Sequence, residues 1–222
     1  MPSPGERRRE RLARALLYVV TGARREQGDL AAFLAAVLEA GADIIQLREK
    51  DAEAGDILRW TEDFRVAANR YGALFVVNDR PDVAIAAGAD GVHLGQNDLP
   101  PAWARRVAGA DLLIGLSTHS AAQFDTSAPE ADYLCVGPIF ATPTKPERPA
   151  TGLEIVTHAA SRAREGFEKR PWFAIGGVDV ASLPQVRAAG AERIVVVRAA
   201  ARPDSGASVR ALARGLASSP VS

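Results

Sequence analysis

Two hydrophobic rhythms alternate along this chain. Short β-branched runs occupy residues 16–20, 43–48, 74–77, 91–94, 112–116, 133–136, 172–175 and 193–197. Residues 30–40, 57–71, 153–165 and 183–189 carry apolar positions at helical spacing, and residues 209–216 form the last such stretch. Short apolar runs bounded by Gly, Pro, Asn or Asp predict strands, and the longer amphipathic stretches predict helices. Helix-to-strand junctions recur in near-identical form, as AGADIIQL, AGADGVHL, APEADYLCV and AGAERIVVV. A small residue ends each helix and a charged residue precedes each strand, so the chain reads as an internal βα repeat. Eight near-continuously apolar strands in that rhythm predict a parallel sheet covered on both faces, and hence an α/β fold of the (β/α)₈ TIM-barrel type. An open doubly wound sheet is the alternative that alternation by itself leaves.

One domain suffices for the whole. At 222 residues and 47% hydrophobic content the chain can bury a barrel-sized core. Residues 1–15 (with SPGERRRERLAR inside) are expected to form a basic arm or short covering helix, and residues 16–222 the barrel. Lys plus Arg and Asp plus Glu number 27 each, so no global charge favours nucleic acid or an anionic membrane, and any anion site must be local. No apolar run approaches the roughly 20 residues that cross a bilayer. The single cysteine, Cys135, rules out an internal disulfide and suits a buried small hydrophobe in a reducing cytoplasm. Small-molecule partners are therefore expected, with a homodimer allowed.

In such a barrel the chemistry gathers at the carboxyl ends of the strands. Residues 74–98 contain one whole strand–helix–strand unit, whose strands stop at Asn78–Asp79 and at Gln96–Asn97–Asp98. Two carboxylates emerging from neighbouring parallel strands suit a hard divalent cation, Mg²⁺, so Asp79 and Asp98 are the candidate metal ligands. The second strand end alternates Gln46, Arg48 and Lys50 toward the mouth, a set fitted to a polyphosphate. Ser117 ends the fifth strand as a candidate phosphate donor. His119 is either an acid–base group or a helix start, and His93 is expected to be a packed strand residue. The proline-rich loop after the sixth strand offers Thr142, Thr144 and Lys145 as an anion cradle. Gly176–Gly177 ends the seventh strand, and Val197–Arg198 the eighth. Asp43 and Asp90 lie at strand starts and are expected at the opposite end. A cation-rich, metal-assisted region and a separate phosphate region predict two phosphorylated substrates, and no arrangement of Ser, Cys and His suggests a covalent enzyme intermediate.

The motifs QLREK, VVNDR, GVHLGQND, GLSTHS, VGPIFATPTK and AIGGV, in this order at successive strand ends, resemble the thiamine-phosphate synthase family from about residue 17 to residue 200. The resemblance implies a (β/α)₈ fold and the joining of 4-amino-5-hydroxymethyl-2-methylpyrimidine diphosphate to a thiazole phosphate. It also implies residue roles. Gln46, Arg48, Lys50, Asn78, Ser117 and Lys145 would hold the pyrimidine diphosphate, with Arg48, Lys50, Ser117 and Lys145 assisting its departure. Asp79 and Asp98 would hold Mg²⁺; Thr142, Thr144 and Gly177 would meet the thiazole phosphate, with Val197 and Arg198 at the neighbouring strand end, where the arginine either meets that phosphate or turns outward. One position departs from the family pattern, which usually has a serine where this chain has Arg198. A related thiazole tautomerase and a non-catalytic phosphate-binding relative are the competing readings.

Overall fold

A computed structural model describes residues 1–141, 149–166, 168–201 and 204–218. Its strands are β1 (Leu17–Thr21), β2 (Ile44–Leu47), β3 (Leu74–Asn78), β4 (Gly91–Leu94), β5 (Leu113–Thr118), β6 (Tyr133–Val136), β7 (Trp172–Ile175) and β8 (Ile194–Val196). They pair in sequence order, all parallel, and β8 closes on β1 through the register Leu17 with Ile194. The barrel is therefore closed, and the open-sheet alternative is excluded.

Helices α2 (Leu30–Glu39), α3 (Ala54–Tyr71), α4 (Pro81–Ala86), α5 (Pro101–Ala108), α6 (Ala121–Asp125), α7 (Glu154–Arg164), α8 (Leu183–Ala188) and α9 (Ser205–Ala217) follow the strands in turn. Strand alternation sorts the core into two bodies. Leu17, Val19, Ile45, Leu47, Phe75 and Val77 point outward into the helical shell, while Tyr18, Val20, Ile44, Leu74, Val76, Leu113, Tyr133, Cys135, Phe173 and Val195 fill the barrel.

The N-terminal arm proves to be a built helix, α1 (Pro4–Arg14), with a capping box between Ser3 and Glu6. It covers the amino-terminal end of the barrel. Leu12 and Ala15 join the interior cluster; Arg8 pairs with Asp90 at 3.0 Å and Arg9 with Asp132 at 2.8 Å. The repeated junctions acquire a physical meaning at this same end. Asp43 accepts hydrogen bonds from the Leu16 and Leu17 amides, Asp90 from that of Phe75, and Asp132 from that of Ile114. Each aspartate thus satisfies a backbone donor at the start of the preceding strand, which secures the register of the pair. These carboxylates therefore serve the floor of the molecule, leaving Asp79 and Asp98 for the mouth.

Gly115 fixes the interior row. His93, Gly115 and Tyr133 are register partners across β4, β5 and β6. A Cβ on Gly115 would lie 2.1 Å from Tyr133 Cζ, so only glycine lets the tyrosine ring lie across β5 toward β4. Overpacking of this kind costs about 2–3 kcal/mol, and Gly115→Ala is expected to lower the melting temperature by roughly 5–10 °C. Thermal denaturation followed by circular dichroism checks this; an unchanged melting temperature would show that the ring moves without cost.

Candidate active site

The carboxyl ends of all eight strands open into one cavity of about 490 Å³. Gln46, Arg48, Lys50, Asn78, Asp79, Asp98, Ser117, Gly177, Val197 and Arg198 all line it. Those residues are spread over most of the chain, and closure of the barrel brings them to one rim. Thr142, Thr144 and Lys145 lie outside the described residues.

The β2 end is set by alternation. Gln46 is almost fully buried inside the barrel, and the Arg48 amide extends the ladder by donating to Thr21 O at 2.9 Å. Glu49 turns the other way, where its Oε1 accepts from the Ala23 amide at 2.6 Å. Arg48 and Lys50 are thereby left facing the cavity. Lys50 Nζ stands 3.6 Å from Asp79 Oδ2.

Asp79 follows the last residue of β3 in the left-handed region, at φ 63°. Few residues besides glycine adopt that conformation, although Asp and Asn tolerate it best, and such positions concentrate at functional sites. Its amide still donates to His93 O at 2.8 Å, so the bend is anchored to β4. Asp98 is held by the turn after β4, its Oδ2 accepting from the Gly95 amide at 2.6 Å. Asp98 lies close enough to act on the Asp79 carboxyl. Burial first, and then Asp98, push the Asp79 carboxyl from an ordinary 3.8 up to about 6, against the pull of Lys50 and Arg48. A cation between the carboxylates would relieve both causes. Among the described residues no group of three or more Asp, Glu, His or Cys side chains could hold a metal. A carboxylate pair nevertheless fits Mg²⁺, which retains waters and takes further oxygens from substrate phosphates.

Ser117 stands two residues beyond Gly115 on the inward face of β5, and its Oγ lies 2.9 Å from His93 Nε2. His93 is packed, as its mid-strand position suggests, but it also meets Tyr133 Oη through Nδ1 at 3.3 Å. This serine–histidine pairing is not visible in the sequence. It arises because β4 and β5 are neighbours, and adjacency of strands is not written in local spacing. Tyr18 and Tyr133, read from sequence only as apolar strand residues, also enter this polar group; burial raises the ionisation of both hydroxyls far above its usual range. His119 precedes α6, its Nδ1 in contact with Gly137 O and its amide donating to Gln123 Oε1. It also lines the cavity.

The Gly176–Gly177 pair has a packing reason beside any ligand reason. A Cβ on Gly176 would lie 2.5 Å from Pro138 Cα, and one on Gly177 would lie 2.8 Å from Phe140 Cβ. Both residues have positive φ, 105° and 70°. The loop after β6 is hydrogen-bonded over them, through Ile139 N to Ile175 O and Phe140 N to Gly176 O. Arg198 extends past β8 as an exposed side chain at the same mouth.

A closed (β/α)₈ barrel with a polar cavity at the carboxyl ends of its strands defines a barrel enzyme that acts on small molecules. The sequence pattern of the thiamine monophosphate synthases matches residues 17–200. The chain is 55% identical over 192 residues to the thiamine-phosphate synthase of Acidothermus cellulolyticus, which covers 86% of this chain and 89% of that one. It is 54% identical over 203 residues to the thiamine-phosphate synthase of Mycobacterium leprae, with 85% of each chain covered. Among solved structures, the thiamine phosphate pyrophosphorylase of Pyrococcus furiosus superposes with a TM-score of 0.81 at 31% identity, over 94% of this chain and 96% of that one. The chain belongs to the thiamine monophosphate synthase family.

Proposed function

We propose that the cavity joins 4-amino-5-hydroxymethyl-2-methylpyrimidine diphosphate to a thiazole phosphate, giving thiamine phosphate and pyrophosphate. One observation carries the reading: the cations Arg48 and Lys50 and the carboxylates Asp79 and Asp98 share one rim, with Lys50 only 3.6 Å from Asp79. That mixture suits a diphosphate accompanied by a divalent cation and has no evident use for an uncharged substrate.

The bond that breaks joins the pyrimidine methylene carbon to the diphosphate oxygen, and the electron pair leaves with pyrophosphate. Arg48 and Lys50 stabilise the charge that builds on that oxygen, and Asn78 and Ser117 orient the group by hydrogen bonds. The aminopyrimidine ring shares the positive charge left on the carbon, and the thiazole nitrogen supplies the pair that forms the new carbon–nitrogen bond. Bound through Asp79 and Asp98, Mg²⁺ would supply charge neutralisation to the diphosphate oxygens. The thiazole phosphate belongs at the ends of β7 and β8, near Gly177, Val197 and Arg198. Arginine in place of the family's serine offers that phosphate a two-point, charged contact. Lys145, Thr142 and Thr144 are assigned to the same two substrates by the family resemblance.

Incubation of the purified protein with both substrates and Mg²⁺ tests the activity. Thiamine phosphate and pyrophosphate in equal amounts are expected. Isomerised thiazole phosphate alone would mean a tautomerase, and binding without turnover would mean a non-catalytic relative.

The raised carboxyl of Asp79 makes metal binding depend on pH. Mg²⁺ requires the charged form, so below about 6 each ion bound must displace a proton. Apparent affinity is expected to fall about tenfold per pH unit below that value. For the metal-free protein the sign is opposite. A folded-state value above the unfolded one stabilises the protein fully below 3.8, and that contribution is lost as pH rises through about 6. Mg²⁺ titrations between these limits check the first statement. The difference in melting temperature between the metal-free parent and Asp79→Asn checks the second.

A further inference from the structure

A chain of buried hydrogen bonds crosses the barrel interior from Gln46 to Ser117, the two residues that would flank the pyrimidine. Gln46 Nε2 donates to Tyr18 Oη. Tyr18 Oη lies 3.1 Å from Tyr133 Oη, which lies 3.3 Å from His93 Nδ1, and His93 Nε2 lies 2.9 Å from Ser117 Oγ. Tyr18 and Tyr133 are completely buried, and burial keeps their protons on. The rings that carry these groups are mutually wedged, with Tyr18, Tyr133 and Phe173 in edge contacts at 5.8–6.1 Å.

Each phenol in this chain has one proton to give and can accept at its oxygen. Gln46 enters as a donor and occupies the Tyr18 oxygen. The arrangement that gives every hydroxyl proton an acceptor has Tyr18 donating to Tyr133 and Tyr133 to His93 Nδ1. A neutral imidazole that accepts at Nδ1 carries its proton on Nε2 and gives it to Ser117 Oγ. The Ser117 hydroxyl proton is left for the cavity, and the Gln46 carbonyl oxygen is left as an acceptor.

We propose that Tyr18, Tyr133 and His93 form a one-way hydrogen-bond relay that fixes Gln46 as an acceptor and Ser117 as a donor, and so selects an amino-substituted pyrimidine diphosphate. Such a ligand offers the complementary set, an exocyclic amine that donates and ring nitrogens and phosphate oxygens that accept. A hydroxypyrimidine ligand, which presents a carbonyl in place of the amine, meets the wrong polarity at Gln46. His93 is in this sense a positioning residue: it acts on the substrate through Ser117. The inference rests on the proposed activity for its ligand, but the polarity of the relay does not depend on turnover.

The test therefore begins without substrate. The chain has three histidines, His93, His119 and His158, so ¹⁵N labelling of histidine gives a spectrum in which His93 can be assigned by substitution. At mildly alkaline pH the parent protein is expected to show His93 protonated on Nε2 and bare at Nδ1. Tyr133→Phe, which removes one hydroxyl, is expected to give a mixture of both tautomers. Protonated Nδ1 in the parent, or the same pure tautomer in Tyr133→Phe, would overturn the relay. Kinetics supply the second arm. His93→Leu is expected to raise KM for the pyrimidine diphosphate by roughly 10- to 100-fold, the range for a lost buried hydrogen bond, with KM for the thiazole phosphate unchanged. His93→Gln, whose amide can replace Nε2–H, is expected to restore the pyrimidine KM to within about threefold of the parent. Equal loss for both substrates in His93→Leu, or no rescue by glutamine, counts against the relay. A parent protein that shows the expected tautomer but forms no thiamine phosphate would contradict the proposed activity and leave the relay standing.

Discussion

Arg48→Ala is expected to slow single-turnover formation of thiamine phosphate by about 100- to 1,000-fold, the range found when a preorganised group opposite developing charge is removed. The size follows from what remains. Lys50 is the other cation placed on this strand end, and its Nζ already stands 3.6 Å from Asp79, so it cannot turn wholly to the leaving group. Folding should survive, because the described contact that ties Arg48 to the barrel is the bond from its amide to Thr21 O, and alanine keeps it. A rapid-quench measurement with saturating substrates separates this loss from weaker binding. A single-turnover rate within a fewfold of the parent would remove Arg48 from charge stabilisation.

The second large effect is expected from replacing both carboxylates. Asp79→Asn with Asp98→Asn removes two negative charges and should reduce Mg²⁺ affinity by more than about 100-fold, since the cation is left with neutral oxygens and water. Asparagine is the informative choice. It tolerates the left-handed backbone that Asp79 adopts at φ 63°, and it can accept from the Gly95 amide as Asp98 does. The barrel should therefore keep its melting temperature. Relief of the repulsion between two half-buried carboxyl groups favours a slight rise in the absence of metal. An unchanged Mg²⁺ titration of turnover would take both residues out of metal binding.

The outline of this site was legible in the letters because a parallel barrel turns strand order into position. Once residues 91–94 and 74–77 are read as neighbouring parallel strands, Asp79 and Asp98 must share an end. The alternation that separates Arg48 and Lys50 from Glu49 is equally local. Strand limits slipped by a residue or two, as at β5, which runs on to Thr118. Helices α5 and α6 did not stand out, having only 8 and 5 residues, too few for a helical period to show. The packing role of Gly176 and Gly177 depends on where Pro138 and Phe140 come to rest, which no spacing reveals. The polar chain through the barrel was hidden for a related reason. Tyr18 and Tyr133 occupy apolar strand runs, and only the row His93–Gly115–Tyr133, seen across three strands, shows why a ring on β6 can meet an imidazole on β4.

The central claim is that one rim binds a diphosphate together with Mg²⁺. Calorimetric titration of the parent protein with inorganic pyrophosphate, in Mg²⁺ and again in excess chelator, tests it most directly. Binding that is tight with Mg²⁺, at least tenfold weaker without it, and insensitive to Mg²⁺ once Asp79 and Asp98 are both asparagine is the predicted result. Pyrophosphate that binds equally well with and without the metal would contradict the account.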